Sequence, residues 1–74
     1  MLTEREKEVL RKATLVNGER VVNHNDVHPD YVNEVGSLHR KGVLRVGRTI
    51  KSHNTWVMVD SIVSDTVKEE EYAN

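Results

Sequence analysis

Arg40, Lys41, Arg45, Arg48 and Lys51 all lie between Gly36 and Val59, a stretch that contains no acid. Five cations without a counter-charge are suited to phosphate, because each one that neutralises a phosphate releases condensed counterions. Asn33 and Ser37 precede Arg40-Lys41 by one to two helical turns, so a helix brings these residues toward one polar side. An asparagine amide pairs with adenine N6 and N7, and an arginine reaches guanine or phosphate. The chemistry on offer is recognition of a polyanion. The competing reading is a solvated polar face, which most helices with this pattern possess.

A second cluster is His24, Asp26 and His28, whose two histidines would share a face on a helix. Pro29 and the polar run Asn23–Asp26 argue instead for a turn. The chain has no cysteine and no His-Glu-x-x-His pattern, so neither a metal nor another cofactor is expected. His39 and His53 fall inside the basic stretch and gain charge below a reference pKa of about 6.5. No nucleophile elbow, phosphate-binding glycine loop or carboxylate pair set opposite a histidine in an evident pocket is present, and the expectation is a protein that is not an enzyme. Tyr31 and Trp56 could stack on bases, but a lone tryptophan in a β-prone run reads as core. Both are assigned to the core.

The basic stretch stands out against a nearly neutral chain. Residues 1–35 carry −2, residues 36–59 carry +5 and residues 60–74 carry −4, within a total of −1 over 74 residues. This length suits one small domain that buries only about 60% of its unfolded surface. With no Phe, one Trp and no disulfide, its core is thin, and a homodimer is an expected means of burying more surface. No apolar run is long enough for a membrane span and no signal pattern opens the chain, so a cytoplasmic protein is expected.

The elements that position these residues follow from pattern. Thr3-Glu4-Arg5-Glu6 forms a capping box, and Leu2, Val9, Ala13 and Val16 share a helical stripe. That stripe favours a first helix ending near Asn17-Gly18, over a small hairpin pairing Leu15–Val16 with Val21–Val22. Arg20–Val22 reads as a short strand. Pro29 opens a second helix over residues 29–41, with Tyr31, Val32, Val35 and Leu38 on its apolar arc. Asp30, Asn33, Ser37, Arg40 and Lys41 fall on the opposite face, and Gly42 caps the end. Val43–Val46 and Thr55–Val59 are β-prone, and Gly47–Asn54 forms a basic loop between them.

This order resembles the winged-helix branch of the helix-turn-helix proteins, and specifically small phage-encoded members. The likeness rests on Asn33-x-x-Gly36-x-Leu38, Gly42-x-Leu44, Val46-Gly47-x-x-x-Lys51-Ser52 and Trp56-Val57, within residues 20–60. It implies an α+β winged-helix-like domain over residues 1–63, with residues 64–74 as an acidic tail or short helix. Only Asn23–Val27 is left for the second helix of the motif, which leaves room for one turn at most. The implied function is binding of double-stranded DNA in transcription regulation or replication. Helix 29–41 would enter the major groove and the wing at 47–54 would rest on phosphates. Asn33, Ser37, Arg40, Lys41, Arg45, Arg48 and Lys51 would make the contacts. Asp30 and Glu34 oppose phosphate unless one accepts from a cytosine amino group. The alternative is a protein–protein interaction module, such as a phage factor acting on a host complex in the host cytoplasm. The −4 tail could also fold back on the basic wing.

Overall fold

A computed structural model describes residues 1–73 as an α+β fold. Helix α1 spans Glu4–Arg11, β1 Thr14–Val16, β2 Glu19–Asn23, α2 His24–Val27 and α3 Val32–Arg40. Strands β3 (Leu44–Val46), β4 (Thr49–Ser52), β5 (Thr55–Met58) and β6 (Asp60–Val63) follow, then a 3-10 turn at Glu69–Glu71. One antiparallel sheet has the order β1-β2-β6-β3, and β4 and β5 form a separate hairpin. No helix among the described residues is long and apolar enough to cross a membrane.

Helix α1 starts where the capping box places it. Glu6 N donates to Thr3 Oγ1 at 3.1 Å, and Thr3 N donates back to Glu6 Oε1 at 2.8 Å. The helix does not continue to Asn17-Gly18, contrary to the stripe. It closes at Arg11, and Ala13 N donates to Leu10 O in a tightened last turn. Residues 14–16 instead pair with β2 in the register Thr14↔Val21, Leu15↔Arg20 and Val16↔Glu19. Asn17 (φ 51°) and Gly18 (φ 83°) both take the left-handed region that a two-residue hairpin turn requires. Leu15 and Val16 remain exposed on this edge strand, so the end of the helical stripe was not a core pattern.

The stretch read as a turn, Asn23–Asp26, opens the single-turn helix α2, which runs on to Val27. Asn23 caps it by accepting from Asn25 N at 2.9 Å. Helix α3 is shorter than the expected 29–41. His28 is extended (ψ 137°), as a residue before proline should be, and the chain turns through Asp30 to Tyr31, which precedes the helix without a side-chain capping bond. At its other end Gly42 takes φ 75°, and Val43 N donates to Leu38 O while Gly42 N donates to His39 O. That is a Schellman closure, which satisfies two terminal carbonyls of the helix.

The core is small and aliphatic. Leu10, Leu38 and Leu44 are fully buried, with Val9, Val22, Val27, Val35, Val63, Val67 and Tyr72 around them. The acidic tail contributes Val67 and Tyr72, and its polar contacts run to the α1–β2 side rather than to the basic hairpin. Arg11 donates to Tyr72 O, and Arg20 donates to both Tyr72 Oη and Val67 O. Ile62 and Val63 complete the long hairpin as part of β6.

The basic loop expected at Gly47–Asn54 is largely strand β4, closed on β5 by His53 (φ 51°) and Asn54 (φ 64°). Where β3–β6 passes into β4–β5, Val59 N and Asp60 N both point at Arg48 O, at 2.7 and 3.4 Å. Two residues opposite one make a bulge, which twists the outer hairpin away from the four-stranded sheet. Hence β4–β5 stands apart from the core except at its root, where Met58 packs against it.

Candidate functional site

The α1–α3 interface decides which cations are free. Glu6 is buried, and its carboxylate holds α3 in place. Ser37 Oγ donates to Oε2 at 2.7 Å and Lys41 Nζ donates to Oε1 at 2.7 Å. Burial pushes the Glu6 carboxyl up, but the hydrogen bonds from Lys41, Ser37 and Thr3 outweigh it and bring the pKa down to about 2. Ser37 and Lys41 therefore face α1, instead of sharing an outward face with Asn33 and Arg40. Glu34 is drawn the same way, accepting from Arg5 Nε at 3.2 Å, and Arg5 also donates to Asp30 O at 2.8 Å.

Two more cations have acid partners. Arg45 donates to Glu19 across the sheet at 3.1 Å, with both side chains at least half exposed. Arg48 is anchored twice by buried Asp60: its backbone N donates to Oδ1 at 2.8 Å and its Nε to Oδ2 at 2.7 Å. Arg40 and Lys51 form no ion pair among the described residues. Arg40 and Asn33 are exposed on α3 and flank Gly36 on the outward side of the helix. Of the seven candidate contacts, Asn33, Arg40 and Lys51 are thus the least committed to the fold.

Trp56 overturns its assignment to the core. It is 67% exposed on β5 and pairs across the hairpin with Lys51. Ile50 and Val57 pair on the other face of the hairpin and are also exposed. Because β4–β5 twists away from the sheet, Ile50, Trp56 and Val57 are left uncovered, while Met58 at the root of the hairpin packs against the core. Tyr31 is half-buried, and its hydroxyl donates to Glu8 Oε1 at 2.7 Å. That bond to a carboxylate pushes the Tyr31 hydroxyl above its usual pKa.

Between α2, α3 and the root of the hairpin lies a mainly apolar cleft of roughly 230 Å3, lined in part by Val27, Val32, Gly36 and Met58. Sequence reasoning did not foresee it, since it needs residues from three separate segments. His24, His28 and His39 edge the cleft, and the rings of His24 and His28 stack at 4.8 Å. His24 Nδ1 is buried without a hydrogen-bond partner among the described residues. No group of three metal-ligating side chains gathers among the described residues. His39 Nε2 lies within hydrogen-bond distance of Ser61 Oγ, at 2.9 Å, and Ser61 Oγ lies 3.3 Å from Met58 Sδ. Burial lowers the His39 pKa and keeps the ring neutral.

The outward side of α3 and the β4–β5 hairpin thus both carry exposed polar or aromatic side chains that form no ion pair among the described residues. No family model, curated protein or solved structure matches the chain.

Proposed function

We propose that this chain is a double-stranded DNA-binding protein of winged-helix type. In this reading α3 presents Asn33 and Arg40 to the major groove, and β4–β5 is the wing beside it. The observation that carries the reading is the placement of Arg40 and Lys51. They are the two cations of the acid-free stretch without an acid partner among the described residues, and they sit on these two surfaces. Support also comes from the element order, with α2 and α3 preceding a hairpin whose return strand β6 lies between β2 and β3. Asn33 supplies base readout, and Lys51 with Arg48 and Arg45 supplies phosphate contact. Lys41 and Ser37 serve the α1–α3 interface and contribute by holding α3 in place. A regulator or replication accessory that works as a homodimer on a two-fold site fits this small domain.

Because three of the five cations are already paired, two to four phosphate contacts are expected. Anisotropy of a labelled duplex should then give a log–log salt slope of about −2 to −4. Changing Arg40 and Lys51 together to Ala should flatten that slope. A slope near zero, or no duplex binding at low salt, would remove the reading.

A second reading has its own observation. Leu15 and Val16 are exposed on edge strand β1, where a partner strand could add. This is the protein–protein interaction module, with a host protein as partner if the source is a phage. Partners that survive nuclease treatment in a pull-down would favour it.

A further inference from the structure

We propose that Trp56 is a wedge that enters the DNA minor groove beside the site of α3, with Lys51 gripping the neighbouring phosphate. The inference rests on the duplex-binding reading above and names what its wing does.

An indole carries a large apolar area, and leaving one 67% exposed gives up burial that a thin core would gain from. The fold makes no use of it: Trp56 is not part of the core cluster. Its position is nevertheless well defined. The hairpin is held by the pairs Thr49↔Met58, Ile50↔Val57, Lys51↔Trp56 and Ser52↔Thr55, and a two-residue turn at His53-Asn54 closes it. Directly opposed residues share a face of the ribbon, so Lys51 and Trp56 project together.

Charge selects the occupant. Residues 47–59 contain no acid, and Lys51 has no ion-pair partner among the described residues. A flat apolar ring beside a free ammonium group matches a partner that alternates flat bases with phosphates. An acidic protein surface would satisfy Lys51 but would leave the indole without a stacking partner. On the duplex-binding reading α3 takes the major groove, which leaves the minor groove to the single indole of the hairpin. That groove, about 6 Å wide, admits a side chain but not a whole ribbon. Apolar wedges in this position part a base step and kink the duplex. Pyrimidine–purine steps open most easily, so a TA or CA step is the preferred site.

The chain has a single tryptophan, so its emission reports on this residue alone. The experiment titrates the full chain with a short duplex bearing a central TA step, following labelled-duplex anisotropy and Trp56 emission together. Quenching that tracks the anisotropy curve is expected. Trp56→Ala should weaken binding by about ten-fold without changing the salt slope, and Trp56→Phe should recover part of the loss. Circular dichroism melts of both variants check that the exposed position leaves the fold intact. If the duplex binds but emission stays constant and Trp56→Ala binds as tightly as the parent, the wedge is overturned while the duplex reading stands. If no duplex binds at any salt, both fall. An emission shift that depends on protein concentration without DNA would place Trp56 against a second copy, and would also overturn the wedge.

Discussion

Gly47 lacks a β-carbon where the Asp60 carboxylate lies. A methyl at Gly47 would overlap Asp60 Oδ1 and come within 3.2 Å of Asp60 O. That carboxylate in turn fixes both the backbone and the guanidinium of Arg48 at the root of the β4–β5 hairpin. Gly47→Ala should therefore displace Asp60 and release Arg48, at a cost of about 1–3 kcal/mol. A urea unfolding curve checks the cost. Unchanged stability would mean that the hairpin root absorbs a methyl freely.

Glu6 ties the start of α1 to the middle and end of α3. Glu6→Ala removes a cap partner, leaves Ser37 without its acceptor and leaves Lys41 with only the Met1 carbonyl. The expected loss is about 2–3 kcal/mol, at or below the low end for a fully buried pair because Lys41 is partly exposed. Thermal denaturation reads it directly. A loss as small as that of an exposed surface pair would contradict the role given to Glu6.

Acid should weaken the fold in two stages. His39 has its pKa lowered by burial, so the unfolded chain takes up this proton first, and stability falls as pH drops below about 6.5. Glu6 titrates near 2 in the fold against 4.5 ordinarily. Its contribution is complete above about 4.5 and is lost as pH falls toward 2, on the order of 2–3 kcal/mol. Unfolding free energies measured from pH 8 to pH 2 should show both stages, with His39→Gln abolishing only the first.

The acidic tail is structural in part. Ending the chain after Ser64 removes Val67 and Tyr72 from the core, along with the acceptors for Arg11 and Arg20. Burying two such side chains is worth about 3–6 kcal/mol, a large share of the stability of a small domain. The truncated chain should melt far lower or fail to fold. A melt like that of the full chain would contradict the packing described for the tail.

Local signals were readable where one principle acted alone. The Thr3–Glu6 capping box and the Gly42 helix stop stand where their residue types place them. Ala13–Val16 fits a helical stripe and a strand equally well, and only pairing with Val21, Arg20 and Glu19 decides between them. The angle of Ser37 and Lys41 around α3 was legible, but not that α1 would lie on that flank. Arg48 looked unencumbered because its partner, Asp60, lies twelve residues away across a bulged hairpin. Trp56 was misplaced for a related reason. A β-prone run says nothing of whether a second layer covers its strand, and the bulge at Val59–Asp60 carries this hairpin clear of one.

The most direct test of the account is a two-dimensional NMR titration of the labelled protein with a short duplex. The account predicts that the largest amide shifts map to Asn33, Gly36 and Arg40 on α3 and to Lys51 and Trp56 on the hairpin, while β1 and the tail stay still. Shifts confined to Leu15 and Val16, or no shifts at low salt, would contradict it.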